Sequence, residues 1–320
     1  MKYIRLDTTN PYYNLAIEEY LFHHADDDVF MLWQNEPSVI IGKNQNAYAE
    51  VDLDYTEKLG INVCRRITGG GAVYHDLGNL NYTFISTHGD TKALDFEYFT
   101  RPIREALLSL GVVCEVGSRN DIECEGGKFS GNAQHYENGR ILHHGTLLFN
   151  SDFEVMEKAL KVDKEKLAYR AVKSCRSRVV NLSGLIKEKI SVSDFISKIE
   201  ESVCSKLGAT ATQAPENEII NTIYQRNISD EWKFSDKRFL TSYSVERKRK
   251  YPFGLVKLQL ELERSIISRV TVSGDFFSTR PIEELEALLV GKSLSDIPKI
   301  DPSPYIHGMS FEELSELLSQ

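Results

Sequence analysis

Residues 65 to 75 read RRITGGGAVYH: two arginines, three consecutive glycines, then a short apolar run ending on a histidine. Glycine reaches positive φ without a Cβ clash and lets another group approach the backbone closely, so Gly69, Gly70 and Gly71 can turn several N–H groups toward one anion. Arg65 and Arg66 would add fixed charge in a fork that suits carboxylate or phosphate. Alone, the stretch supports two readings, a plain hairpin loop between the strands INVCRRI and AVYHD or an anion cradle. Its spacing matches neither GxGxxG nor GxxxxGK[ST].

The flanking sequence decides the fold class. Upstream, FMLWQ and SVIIG read as short strands separated by the turn NEPS; downstream, LNYTFIS, VVCEV, DIECE, KFSGNAQHY and RILHHGTLLFN follow in succession. Helices are expected after Asn10-Pro11, where Asn caps and Pro opens LAIEEYLFHHA, around DYTEKLG and FTRPIREALLSLG, and over SVSDFISKIEESVCSKLG. Strands in runs with helices grouped elsewhere predict an α+β fold with a mixed, largely antiparallel sheet, which weighs against a Rossmann reading of the glycines.

The charged stretch SYSVERKRKYPFG at 242–254 reads as a linker. Beyond it Leu258, Leu260 and Leu262 alternate with Gln259, Glu261 and Glu263, a half-buried strand whose hairpin partner is SIISRVTVSG. Helices over PIEELEALLVG and FEELSELLSQ complete a small α/β unit. The expected organisation is a catalytic domain over 1–245 and an accessory domain over 246–320.

Net charge of −9 excludes nucleic-acid binding by the surface as a whole. No run of residues is long and apolar enough for a membrane span, and the opening MKYIRLDTTNPYYN lacks a signal-peptide core, so a cytoplasmic protein is expected. Five scattered cysteines without a CxxC pair argue against disulfides and zinc, and the adjacent His143 and His144 would point apart on a strand, so no metal site is expected. Basic charge gathers in two places: seven Lys and Arg from Lys161 to Arg178, and ERKRK at 246–250. Such segments suit an anionic substrate or an acidic partner.

Two more motifs carry chemistry. In RNDIECEGGKFSGNAQ, a strand would put Lys128 and Ser130 on one face with Gly131 beside them. Lys128 reads either as a site residue or as a solvated surface lysine. His144 in HHGTLLF reads either as a site residue or as a satisfied core histidine.

In order and spacing, RRITGGGAVYHDLGNLNYTFI, RNDI, KFSGNAQ, HHGTLLF and VKSCRSRVVNL resemble the lipoate-protein ligase family. LWQNEPSVIIGKNQN before them and VSGDFF near the C-terminus extend the resemblance over nearly the whole chain. It implies the biotin/lipoate ligase catalytic fold and a monomer. It also implies a reaction in which lipoate attacks ATP, accompanied by Mg2+, to give lipoyl-AMP and pyrophosphate. The acyl group then passes to a lysine of a lipoyl domain, in an oxo-acid dehydrogenase complex or the glycine cleavage H protein. Octanoate is the other candidate acyl substrate.

The same resemblance makes Lys128 the principal catalytic group, set against the acyl carbonyl and phosphate. It puts Arg66, Gly71, Ala72, Val73, Tyr74, Asn79, Asp121, Arg176 and Arg178 on the ATP and adenylate side, and Trp33, Thr68, Gly70, His75 and His144 with lipoate. The segment from Lys164 to Asn181 corresponds to the family's adenylate-binding loop. Two competing readings are a cysteine-dependent octanoyl or lipoyl transferase using Cys175, and a non-enzymatic lipoyl-domain-binding protein.

Overall fold

The computed structural model describes residues 1–88, 93–117, 120–161, 179–239, 241–294 and 299–320. Its strands are β1 (Lys2–Arg5), β2 (Val29–Trp33), β3 (Ser38–Ile41), β4 (Asn62–Arg65), β5 (Val73–His75), β6 (Asn79–Ser86) and β7 (Cys114–Val116). They continue with β8 (Asp121–Cys124), β9 (Gly127–Glu137), β10 (Arg140–Leu148), β11 (Thr210–Ala211), β12 (Val245–Tyr251), β13 (Gly254–Glu263) and β14 (Ile266–Gly274). The main sheet runs β11-β1-β2-β6-β10-β9-β8-β7. β1 pairs in parallel with β2 and β11, and every other neighbour in this sheet is antiparallel. The chain is therefore α+β with a mixed, largely antiparallel sheet, as the run of strands predicted.

Alternation along the central strands sorts core from site. β2 sends Phe30 and Leu32 into one apolar cluster and Val29, Met31 and Trp33 into another. On β6, Leu80, Tyr82 and Phe84 join the first cluster, leaving Asn81 and Thr83 on the opposite face. Helices Phe96–Ser109 and Val192–Leu207 cover the first face, burying Phe99, Ile103, Phe195 and Ile199 against the sheet. Each such buried side chain contributes roughly 1.5–3 kcal/mol. Helix Val192–Leu207 starts at a capping box between Ser191 and Asp194 and stops at Gly208, whose left-handed φ of 58° ends it.

Helix Pro11–His24 covers the other face. Asn10 accepts from the N–H groups of Tyr12 and Tyr13 to cap it, as its sequence predicted. It is buried almost all round, Asn14 and Glu18 included. Helix Glu218–Ile228, which the sequence reading missed, packs on it through Ile220. Ile220, Ile223 and Tyr224 carry the i, i+3, i+4 spacing that marks it, a short stripe blurred in the sequence by the exposed Ile219.

A second sheet runs β4-β3-β5, with β3 parallel to β4 and antiparallel to β5. Because β4 and β5 flank β3 on opposite sides, RRITGGGAVYH is not a hairpin; it crosses the end of β3. The Arg66 N–H donates to the Ile41 carbonyl at 3.0 Å and the Lys43 N–H to the Thr68 carbonyl at 2.8 Å. At the crossing a Cβ on Gly42 would stand 2.2 Å from the Gly70 oxygen, so only glycine fits there.

β12, β13 and β14 form a third, antiparallel sheet, covered by helices Ile282–Leu289 and Phe311–Ser319 around an apolar cluster of its own. The stretch read as a linker is largely β12, and the expected division after residue 245 falls just inside it. VERKRKY lacks apolar alternation because β12 is an edge strand, and its charges are met by neighbours: Arg249 by Glu316 at 2.9 Å, and Glu246 by Lys257 at 2.8 Å. Among the described residues no helix is long and apolar enough to cross a membrane.

Candidate active site

A cavity of about 400 Å³ opens where the site face of the main sheet, the glycine crossing and the C-terminal sheet meet. One part of its wall is Leu15, Trp33 and Ile40, members or neighbours of the apolar cluster under helix Pro11–His24. Another is Lys128, Asp121, Asn120 and Gly131 on β8, β9 and the turn before them. The cavity thus joins an apolar surface to a charged one.

Lys128 is placed by a β-bulge. Glu123 lies opposite Lys128 but Ile122 lies opposite Ser130, so one residue of β9 is extra between them. The sequence expectation that Lys128 and Ser130 share a face is therefore corrected: Lys128 lines the cavity beside Gly131, while Ser130 is fully buried and accepts a bond from the Asn132 side chain at 3.3 Å. The Lys128 ammonium pairs with Asp121 at 2.6 Å, both side chains 26% exposed. The main chain of Lys128 is held by the Val180 N–H, which donates to its carbonyl at 2.9 Å.

Behind the apolar wall runs a continuous hydrogen-bond chain. The Trp33 indole N–H donates to Thr83 Oγ1 at 2.9 Å, and Thr83 donates to Glu18 Oε1 at 2.6 Å. Both Glu18 oxygens lie 3.0 Å from His144 Nδ1. A carboxylate only accepts, so His144 donates from Nδ1, and its Nε2 meets the Thr68 hydroxyl at 3.0 Å. Thr68 in turn accepts from Arg66 Nε at 2.8 Å. His144 is thus both a satisfied histidine and a cavity-lining one.

The two arginines do different work from that expected. Arg65 gives its donors to the carbonyls of Gly42, Lys43, Gln45, Trp232 and Lys233, at 2.7–3.1 Å, and does not reach the cavity. Arg66 lines the cavity, yet it binds the carbonyls of Ile40, Gly69 and Gly71 at 2.7–2.9 Å. Burial lowers the Arg65 pKa to about 9 and that of Arg66 to about 10, which leaves both charged at neutral pH. Arg66 is chiefly the brace that shapes the glycine crossing.

Trp33, Arg66, Gly71, Ala72, Val73, His75, Asp121, Lys128 and His144, singled out from the sequence, all line the cavity. Thr68, Gly70, Tyr74 and Asn79 do not. Thr68 stands behind the wall, Tyr74 points into the cluster around β3, and the Asn79 amide bonds Asn81 at 2.8 Å. The Gly70 N–H is spent on Phe276 O at 3.2 Å. Arg176, Arg178 and Cys175, with most of the basic segment, lie outside the described residues.

Two cavity-lining residues each carry a buried side-chain nitrogen without a protein partner, Nε2 of His75 and Nδ2 of Asn81. Asn35 donates to His75 Nδ1 at 3.1 Å, which puts the imidazole proton on Nε2. Burial, with His144 and Arg66 nearby, lowers the His75 pKa to about 3, so the ring is neutral at physiological pH. A site with cations, neutral donors and an apolar wall suits an amphipathic carboxylic acid with a phosphate-bearing partner.

Residues 10–204 match the family model of the lipoyl protein ligase A/B catalytic domain, and residues 241–318 match the bacterial lipoate protein ligase C-terminus. The chain belongs to the lipoate-protein ligase family. It is 40% identical over 291 residues to lipoate-protein ligase LplJ of Bacillus subtilis, covering 88% of this chain and 87% of that one. A lipoate-protein ligase A solved with ATP superposes with a TM-score of 0.61 at 26% identity, over 73% of this chain and 98% of that one. The fold also matches LipL1 of P. falciparum, solved with lipoate, with a TM-score of 0.81 at 20% identity over 100% and 99% of the two chains.

Several site residues of this ligase escaped sequence reading. Glu18 reaches the site from helix Pro11–His24; an acidic pair inside an otherwise apolar helix was its only signal. Asn81, Lys161, Lys250 and Asp275 line the cavity from four separate segments. Among the described residues no cysteine lines it. Burial raises the thiol pKa of Cys64, Cys124, Cys114 and Cys204, the last two to about 11, the opposite of an activated nucleophile.

Proposed function

We propose that this ligase activates lipoate with ATP to lipoyl-AMP, releasing pyrophosphate, and then transfers the lipoyl group to a lysine of a lipoyl domain. The observation that carries this reading is the single cavity in which an apolar wall at Trp33 and Leu15, the unpartnered donors of His75 and Asn81, and the Lys128 ammonium come together. The apolar wall suits the lipoyl chain, and the donors suit its carboxylate. Lys128 would exchange Asp121 for the oxyanion and phosphoryl oxygens that develop as the carboxylate attacks the α-phosphate. In the second step the same ammonium would stabilise the oxyanion formed when the acceptor lysine attacks, with AMP as leaving group.

Among the described residues no cluster of three or more His, Cys, Asp and Glu side chains could hold a metal. Magnesium fits as an ion carried on the triphosphate and water, with Asp121 or Asp275 as single carboxylate ligands, and it would offset phosphate charge. Acceptors are expected to be lipoyl domains of oxo-acid dehydrogenase complexes and the glycine cleavage H protein, served by a monomeric ligase.

Incubating the protein with lipoate, ATP, magnesium and an apo lipoyl domain tests the proposal. Pyrophosphate release and a lipoyl increment in the domain's mass are expected. Neither product, or transfer from an acyl donor without ATP, would overturn it.

A further inference from the structure

The basic run at 246–250 has no part in the chemistry above, yet Lys250 ends at the cavity wall. Its ammonium lies 3.3 Å from both carboxylate oxygens of Asp275, with only 16% and 9% of the two side chains exposed. Asp275 follows β14 directly, and both its neighbours are tied to the catalytic part by main-chain bonds. Gly274 N–H donates to the Asn44 carbonyl at 3.0 Å, and the Phe276 carbonyl accepts from Gly70 N–H at 3.2 Å. The Asp275 Cβ is 3.9 Å from where a side chain on Gly71 would begin. Asp275 is thus held beside the glycine crossing and presents Lys250 to the same cavity.

Charge accounting gives this lysine a purpose. The cavity is lined by the cations Arg66, Lys128, Lys161 and Lys250 against the carboxylates of Glu50, Asp121 and Asp275. Arg66 is committed to Thr68 and three carbonyls, and Lys128 is required where the acyl carbonyl reacts. A triphosphate needs further cations, and an ammonium on a flexible stem can move from a carboxylate to a phosphate with little rearrangement. We propose that Lys250 is a polyphosphate-binding residue: the C-terminal sheet supplies a cation to the β- and γ-phosphates of ATP, and Asp275 positions it until the nucleotide arrives. The proposal rests on the ATP-dependent reading of the site. Pyrophosphate leaves in the first half-reaction, so Lys250 serves activation and not transfer.

Lys250→Ala and Lys250→Arg in the full chain test this, with ATP affinity measured by calorimetry in the absence of lipoate. Steady-state pyrophosphate release and single-turnover transfer from synthetic lipoyl-AMP complete the set. Lys250→Ala should weaken ATP binding and raise its KM by about tenfold or more, the order expected for one lost charge-assisted contact. Its KM for lipoate and its transfer rate should be unchanged, and Lys250→Arg should recover most of the ATP affinity. ATP affinity equal to wild type in Lys250→Ala, or equal loss in both half-reactions, would overturn the proposal. Should the wild type bind ATP yet release no pyrophosphate with lipoate, the ligase reading fails, while the affinity comparison still decides the role of Lys250.

Discussion

The side-chain nitrogen of Asn35 stands 3.1 Å from Nδ1 of His75, and this amide sets the tautomer of the imidazole. Asn14 fixes the amide itself by donating to Asn35 Oδ1 at 2.9 Å, which leaves the N–H side of Asn35 facing the ring. His75 therefore carries an N–H, not a lone pair, at its unpartnered Nε2. Asn35→Asp would accept from Nδ1 and reverse this. The expected result is a shift of the proton to Nδ1 in 15N spectra and lipoate affinity lowered by about tenfold or more, since a hydrogen bond to a charged group is worth about 1.5–3 kcal/mol. An Nδ1–H tautomer already present in the wild type would contradict the assignment.

Acid should destabilise the fold partly through the same ring. The His75 pKa is lowered from 6.5 to about 3, chiefly by burial, so as pH falls the unfolded chain takes up the proton first. The contribution of the neutral ring is complete above the unfolded value and is lost as pH falls toward the folded one. At pH 5 this single group costs about 2 kcal/mol relative to neutral pH. His75→Asn should accordingly show a shallower fall in unfolding midpoint between pH 7 and pH 5 than the wild type. Parallel pH profiles would assign the acid sensitivity elsewhere, with His143 the next candidate because burial lowers its pKa too.

Lys128→Ala removes the ammonium that pairs with Asp121 at 2.6 Å and should leave the circular dichroism spectrum unchanged. Pyrophosphate release is expected to drop by about 10²–10³-fold, the scale for losing one group that stabilises a developing oxyanion. Cys175→Ser should leave the rate intact. A reversal of these two outcomes would favour the cysteine-dependent transferase.

Two of the three glycines, Gly69 and Gly71, should behave differently. A Cβ on Gly69 would stand 2.4 Å from the Phe276 carbonyl, whereas one on Gly71 would have nothing nearer than 3.9 Å. Gly69→Ala is expected to lower stability by about 1–3 kcal/mol through forced displacement of backbone. Gly71→Ala should unfold at the wild-type midpoint and show a raised KM for ATP. Denaturant unfolding of both variants separates the two roles; equal destabilisation would mean that Gly71 is also a packing glycine.

Local chemistry made much of this protein legible in its residues. Short apolar runs bounded by turn residues placed most strands, alternation placed the one around Leu258, Asn10 marked a helix start, and many strands in succession implied the mixed sheet, because each of these signals is short-range. Lys128 and His144 stand out for the same reason, as reactive side chains set in strands beside Gly131 and Gly145, whereas Trp33 and His75 were marked by the family resemblance. What tertiary structure alone decided is how those strands are joined and which distant groups meet. The placement of β3 between β4 and β5 turned an apparent hairpin into a crossing, and the carbonyls gathered there claimed Arg65 and most of Arg66. Asn81, Lys161, Lys250 and Asp275 converge on one cavity from separate segments, with Glu18 behind its wall on His144, and no local pattern encodes a convergence that only packing creates.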